Sequence, residues 1–322
     1  MANDEKIDYA VPGCTDVSYS SCLSLNTSGT LPGLDSPAAH ATLHNKKMFR
    51  DFLWQNNLSA PRVFDKSSAI QSLPIIVKPV DSFSGKGITH LEKPSEHALT
   101  IAYNKACAQS ATGEVVIEEF VDGKLYSHSA FLSNGKVIDE HFVEETCSVC
   151  PFVVDISHLD YSLTSDIRTN IQREVESIAK ELKLTDGLIH TQFISDGEKF
   201  WFVEITRRCP GDLYSQLIEL SGATSYIKNF VAGFLGRSPQ PSPKNHSPFI
   251  LRQTVKAKTN LNHFWLEFSH PAPIKALIPL ALPGQAMQAK ETRQAIVFYE
   301  CESQEHLLEV KDKLIQENTT LA

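Results

Sequence analysis

A chain of 322 residues with 42% apolar and 21% charged content is sized for one large globular domain, or two to three subdomains, around a substantial core. Its net charge of −8 argues against a general nucleic-acid surface, while leaving room for a local basic patch. No apolar run reaches the ~18 residues of a membrane span, the opening MANDEKIDYA is too polar and acidic for a signal peptide, and seven scattered cysteines fit reduced thiols in a cytoplasmic protein.

Residues 1–44 carry Pro-Gly and Ser-Gly breakers and little helical periodicity. They are expected to hold a short strand (DYAVPGCTD), a small helix near Tyr19 to Leu25, and a loop. Asn45 to Asn56 reads as a helix capped by Asn45, with Phe49, Phe52 and Leu53 on one stripe. Lys46 and Lys47 fall in its first turn, where a cation opposes the helix dipole unless an anion lies nearby. Leu73 to Pro79 is a buried-type strand holding one lysine, Lys78, which must reach the rim or meet an anion. The loop DSFSGKG from Asp81 to Gly87 follows. Its small residues would let backbone N–H groups approach phosphate oxygens, although a plain turn would look the same.

Ser95 to Ser110 is expected as a helix and VVIEEF, Val115 to Phe120, as a strand ending in two carboxylates. Tyr126 to Leu132 and Lys136 to Ile138 flank Asn134-Gly135, a strong hairpin pattern. Glu140 to Leu163 carries no clear period, and its Cys147-Ser-Val-Cys150 lacks the second ligand pair of a zinc site, so it reads as two incidental thiols. Asp166 to Leu184 is an amphipathic helix with Ile167, Ile171, Val175, Ile178 and Leu182 in register. Asp212 is a candidate cap for a helix carrying Leu213, Leu217 and Leu220, and a short helix follows from Ser225 to Leu235. Ser238 to Pro248 reads as a linker, followed by strands over Phe249 to Leu282 and Gln294 to Tyr299 and a last helix from Gln304 to Glu317.

The chemistry concentrates in Leu188 to Tyr214. Two β-prone runs flank Ser195-Asp196-Gly197, a turn sequence. Alternation puts His190 and Gln192 on one face of the first strand, and Glu204 and Thr206 on one face of the second. A turn near Glu198 sets Gln192 opposite Glu204. An amide oxygen, a carboxylate and a hydroxyl form a hard oxygen set suited to Mg²⁺. Arg207 and Arg208 follow at once and suit a phosphate or carboxylate substrate. The plainer alternative is a polar sheet edge in water.

In chain order there are a helix-start lysine (Lys46), VKP with a Gly-rich loop, VVIEEFVDG, a long helix, HTQF, and EITRRCPGD. Over about residues 45–236 this ordered set resembles the ATP-grasp superfamily, whose relatives include carbamoyl phosphate synthetase, biotin carboxylase, D-alanine–D-alanine ligase and the L-amino acid ligases. The resemblance implies an α+β (α/β) fold, the ATP-grasp fold, with two α+β lobes holding ATP between them. It places a remnant of the N-terminal pre-ATP-grasp domain at 1–44, the ATP-grasp domain at 45–236 with a lid subdomain over about 73–139, and a C-terminal region completing the lobe at 237–322. Lys46 and Lys78 would contact ATP phosphates under a lid formed by Ser82, Ser84, Gly85 and Gly87. Glu118, Glu119, Phe120 and Val121 would meet adenine, largely through backbone. Gln192, Glu204 and Thr206 would hold Mg²⁺ or Mn²⁺, and Arg208 would stabilise an acyl phosphate, with Lys78 as its catalytic partner.

Four departures from the family pattern stand out. Gln192 and Thr206 replace the commoner Glu and Asn but still offer oxygen. Leu125 stands where the family usually places a ribose-binding Glu, and Asp122 and Lys124 are nearby candidates to replace it. The region before Lys46 is short, which fits a natural minimal form or a truncated one. The activity implied is that of an ADP-forming carboxylate–amine ligase acting on small-molecule substrates. No nucleic acid or membrane is involved, and the oligomeric state is open, a homodimer included. A bicarbonate-using carboxylase or carbamoyl-type enzyme and a non-catalytic nucleotide-binding module are the alternatives.

Overall fold

Among the described residues the strands form two antiparallel sheets, one of four strands and one of eight. The computed structural model describes residues 7–27, 29–71, 74–83, 85–93, 95–222, 225–242, 248–257, 260, 271–282, 286–289 and 291–319. Three helices come first: α1 (Asp16–Leu25), α2 (Pro37–His44) and α3 (Lys46–Gln55). A small lobe follows, built from β1 (Val63–Phe64), α4 (Lys66–Ala69), β2 (Ile75–Pro79), β3 (Thr89–Leu91), α5 (Glu96–Gln109) and β4 (Val115–Glu119). The large lobe begins with β5 (Lys124–Ser133), β6 (Lys136–Thr146), β7 (Ile156–Leu159), α6 (Ser165–Glu181), β8 (Gly187–Ser195) and β9 (Phe200–Thr206). It continues through α7 (Tyr214–Leu220), α8 (Tyr226–Phe234), β10 (Phe249–Lys256), β11 (Ile274–Pro279), β12 (Arg293–Cys301) and α9 (Gln304–Thr319).

The small sheet runs β1-β4-β2-β3 and the large one β11-β12-β10-β7-β6-β5-β8-β9. Local chemistry explains most boundaries. Asn45 caps α3 by accepting from the Lys47 and Met48 N–H groups, and Thr164 caps α6 through Ile167. Asn134 and Gly135 both take positive φ, 51° and 72°, so β5 turns directly into β6. Ile167, Ile171, Val175 and Ile178 lay one stripe of α6 on Tyr126, Phe142 and Phe193 of the large sheet. The opposite face of that sheet packs Phe131, Val143 and Leu188 against α7 and α8 through Tyr214, Tyr226 and Phe230. A smaller core joins β2, β4 and α5 through Ile75, Val77, Leu99 and Ile117.

Three expectations are corrected. Residues 8–13 form no strand, and Pro37–His44 is a helix, started by Ser36 as cap and Pro37 in the first turn. Asp212 does not cap α7; Leu213 occupies that position with φ 55° and no side-chain cap, while the Asp212 carboxylate pairs with Arg293. The strand-rich stretch after Phe249 is described in part only, since 258–259 and 261–270 lie outside the described residues. None of the seven cysteines is in a disulfide, and among the described residues no helix is long and apolar enough to cross a membrane.

Candidate active site

The two sheets meet at α3. Lys46, its first residue, donates its backbone N–H to Val80 O at 2.9 Å, and its Nζ donates to Ser82 O at 2.7 Å, tying the helix start to the glycine-rich loop. One turn later, Arg50 lies fully buried. Its Nη2 donates to Val203 O of β9 at 2.6 Å, and its Nε lies 2.9 Å from Glu118 Oε1 of β4. Lys78 of β2 reaches the same carboxylate, Nζ to Oε2, at 2.5 Å. β2 and β4 are adjacent and set Lys78 beside Val116, which brings the lysine within reach of Glu118. Burial pushes the Glu118 carboxyl up, but the charges of Arg50 and Lys78 outweigh it and hold it below the usual range. Two buried cations thus share one carboxylate, and Lys46 adds a third positive charge nearby. The excess suits an anionic ligand.

The loop after β2 is shaped by Gly85 and Gly87, at φ 71° and 75°. A Cβ on Gly87 would lie 2.8 Å from the Pro79 ring and 2.9 Å from Gln109 Cβ, and one on Gly85 would lie 3.0 Å from Phe152 O of the large lobe. The loop is therefore folded down on both sides. Ser82 Oγ closes it by donating to Lys86 O. Ser84 lies outside the described residues. Beyond Glu118 the strand turns outward: Glu119 accepts from Arg62 Nε at 3.0 Å, and the N–H groups of Glu119 and Phe120 donate to Arg62 O and Pro74 O. The Phe120 ring stacks on His90 at 3.7 Å, and Val121 follows half-buried.

On the large sheet, β8 and β9 pair Gln192 with Glu204 and His190 with Thr206, with a bulge after Gln192. The pairing expected from the turn sequence is the one observed. Among the described residues no hydrogen bond reaches the Glu204 carboxylate. Thr206 Oγ1 donates to Asp16 Oδ1 at 3.2 Å. The two arginines part company. Arg208 forms a two-point pair with Asp16, Nε to Oδ1 at 2.9 Å and Nη2 to Oδ2 at 3.0 Å. Burial works against both charges, yet the pairing outweighs it, so Asp16 lies below its ordinary value and Arg208 above. Arg207 turns the other way, into the core, where it donates to Asp35 Oδ2 at 2.8 Å and to the carbonyls of Leu188 and Thr185. It ties the N-terminal helices to the large lobe and does not face the cleft, so only one of the two arginines is a substrate candidate.

Strand register adds Ser127, Ser129, Glu145 and Ser157, which the sequence pattern did not single out. One row across the sheet runs Val143, Ser127, Gln192, Glu204 and the next runs His141, Ser129, His190, Thr206. A third row runs Arg252, Ser157, Glu145, Leu125. Ser129 Oγ lies 2.7 Å from His190 Nδ1, Ser127 Oγ donates to Tyr214 OH at 3.0 Å, and Arg252 Nε donates to Ser157 Oγ at 2.8 Å. Gln192 Nε2 donates to Glu145 Oε2 at 2.6 Å. Burial pushes the Glu145 carboxyl up to about 7, opposed by Ser127, Arg252 and Gln192 and reinforced by the Glu204 charge. The period-two serines of YSHSA, polar side chains in a buried strand, were the available pointer to this floor. Leu125 has Glu145 directly opposite it on β6.

Lys46, Ser82, Glu204, Thr206, Arg208 and Asp16 line one cavity of about 40 Å³ between loop and sheet. A roomier groove of about 420 Å³, between Trp54, Glu174 and Trp201, contains none of the candidate residues. Among the described residues no cluster of three His, Cys, Asp or Glu side chains could hold a metal. The donor set beside the cavity is one carboxylate with an amide and a hydroxyl. That set fits Mg²⁺, which binds through one or two carboxylates and completes its shell with water and phosphate oxygens.

Residues 71–216 match the family model described as an ATP-grasp domain. No curated protein matches the chain in sequence. Among solved structures, the L-amino acid ligase from Bacillus licheniformis is similar over 98% of this chain and 80% of its own, at 15% identity and a TM-score of 0.77. Phosphoribosylglycinamide synthetase from Anaerococcus prevotii matches over 98% of this chain and 83% of its own, at 16% identity and a TM-score of 0.71. The biotin carboxylase from Campylobacter jejuni matches over 98% and 76%, at 14% identity and a TM-score of 0.69. At these identities the likeness is one of fold.

Proposed function

We propose that this chain, which belongs to the ATP-grasp superfamily, is an ATP-dependent ligase that joins a carboxylate to an amine through an acyl phosphate. The observation that carries the reading is the single cavity on which Lys46, the loop residue Ser82, Glu204, Thr206 and Arg208 converge from both lobes. Cations on one side and oxygen donors on the other are what a polyphosphate with its divalent ion requires.

In this reading Lys46 and Lys78 hold the phosphates, and the loop from Ser82 to Gly87 covers them and excludes water. Glu118, Glu119, Phe120 and Val121 border the adenine side through backbone groups, since the Glu118 carboxylate is held between Arg50 and Lys78. A substrate carboxylate oxygen attacks the γ-phosphorus and ADP leaves. The amine then attacks the acyl carbon, phosphate leaves, and the amine loses a proton. Gln192, Glu204 and Thr206 would hold Mg²⁺ or Mn²⁺, which neutralises phosphate charge when bound. Arg208 stabilises the acyl phosphate oxygens, and its two-point pair with Asp16 must open to do so. Arg252, buried on the same sheet face, is a candidate anchor for the acid. Catalysis then rests on positioning and charge neutralisation, without a protein nucleophile. The large sheet runs unbroken from β5 into β10, β11 and β12, which supports assigning 237–322 to the lobe of the 45–236 domain; because β5 and β6 belong to that sheet, the lid subdomain expected over about 73–139 is better ended at β4, near Glu119.

The test is trapping. With ATP, Mg²⁺ and pooled carboxylic acids, hydroxylamine should yield an acyl hydroxamate from the true acid, and Glu204→Gln should remove it. ATP turnover stimulated by bicarbonate alone, with no hydroxamate from any acid, would replace this reading with a carboxylating one. ATP binding without turnover would replace it with a nucleotide-binding module.

A further inference from the structure

We propose that Glu145 is a positioning residue, whose carboxylate takes the NH₂ group of Gln192 and so turns the Gln192 amide oxygen toward Glu204. The inference rests on the ligase reading, which places the divalent cation at these two residues. An amide carries a donor end and an acceptor end of nearly equal shape. A cation accepts only the oxygen, and a strand position does not choose between the two ends. A carboxyl oxygen that carries no proton does choose, because it accepts hydrogen bonds and cannot donate them, and Glu145 Oε2 takes that role toward Gln192 Nε2.

The geometry provides that choice. Glu145 Oε2 lies 2.6 Å from Gln192 Nε2, within a carboxylate–amide hydrogen bond. Glu145 is 8% exposed, so water competes little for the amide. Its place is set by register: Ser157 lies opposite it on β7 and Leu125 on β5, and Ser157 is itself held by Arg252. On the far side of Gln192, Glu204 is the directly opposed residue of β9. Gln192 thus stands between two carboxylates. One takes its nitrogen, which leaves the amide oxygen to join the other. Where a glutamate stood at position 192 no such partner would be needed, since either carboxylate oxygen ligates equally. Gln192 and Glu145 act as one unit in this account, and partners of this kind are worth about 10–100-fold in metal affinity.

The test titrates Mn²⁺ into the full chain with ADP and reads free Mn²⁺ by electron paramagnetic resonance, with thermal melts as a check on folding. Glu145→Ala should weaken Mn²⁺ about 10-fold, and adding Gln192→Glu to it should restore binding to within about 3-fold, because a carboxylate there needs no orienting. Unchanged binding in Glu145→Ala would overturn the proposal. A double variant as weak as the single one would also overturn it, by showing that Glu145 ligates the ion or only supports the fold. If Glu145→Ala does not fold, Glu145→Gln with and without Gln192→Glu carries the same comparison, since an amide at 145 can pair with either end of Gln192. Glu204→Gln separates the two levels. Its loss of Mn²⁺ with normal binding in Glu145→Ala sinks the positioning role alone, whereas parental binding in Glu204→Gln sinks the metal assignment and the positioning role with it.

Discussion

Glu118 and Glu119 are neighbours on one strand, and the structure expects very unequal losses from the same substitution. The Glu118 side chain is 1% exposed and lies between Arg50, at 0%, and Lys78, at 6%. Glu118→Gln leaves two buried cations with no anion, and breaking such a group costs about 3–5 kcal/mol, most of it the desolvation of the stranded charges. Glu119 instead pairs with Arg62, whose side chain is 72% exposed, and a surface pair contributes about 0–1 kcal/mol. At roughly 2 °C per kcal/mol for a chain of this size, Glu118→Gln should lower the melting temperature by about 6–10 °C and Glu119→Gln by no more than ~2 °C. Urea unfolding of both variants and the parent, with melts in parallel, gives the comparison. Equal effects, or a loss below about 1 kcal/mol in Glu118→Gln, would refute the triad as a buried ionic group.

Acidification gives a second expectation. Burial, with the charges of Arg208 and His128, holds His190 down at about 3, against 6.5 in an open chain. The unfolded state therefore binds the proton first, so this contribution is complete above 6.5 and is lost as pH falls toward 3. Between pH 7 and 5 it amounts to about 2 kcal/mol, read from urea midpoints, and His190→Gln should flatten that slope. Buried His128 and His158 are shifted down as well and add in the same direction. In the loop, Gly87→Ala should destabilise by about 1–3 kcal/mol, through positive φ and contact with Pro79 and Gln109. Gly135→Ala, at a similar φ with open space around it, should cost about 1 kcal/mol in the same chemical-denaturation assay. Asp16→Ala should free Arg208, lowering the KM for the acid substrate while costing about 1–2 kcal/mol of stability.

The parts of the site made by local chemistry were legible in the sequence. A turn at Ser195-Asp196-Gly197 was enough to pair Gln192 with Glu204, and an asparagine before two lysines was enough to start α3. What was not legible depends on distant register. Glu145 meets Gln192 only because β5 lies between β6 and β8, and no local pattern states that order. Glu118 read as an adenine-side residue and not as part of a buried ionic group, because Arg50 and Lys78 reach it from separate elements. Arg207 and Arg208 look alike in sequence, yet neighbouring positions at a strand end point to opposite sides, one into the core and one into the cleft. Asp212 carries good capping chemistry, but a left-handed backbone at Asp212 and Leu213 turns that carboxylate toward Arg293.

The central claim is that ATP is spent on joining an acid to an amine at the cavity between loop and sheet. The most direct measurement is Mg²⁺-dependent ADP release against matched pools of carboxylic acids and amines, run on the parent chain, Lys78→Ala and Glu204→Gln, each with a melt to confirm folding. The account predicts release that needs one member of each pool and that disappears in a folded Glu204→Gln. Release that needs no amine, or that persists at the parental rate in both variants, would contradict it.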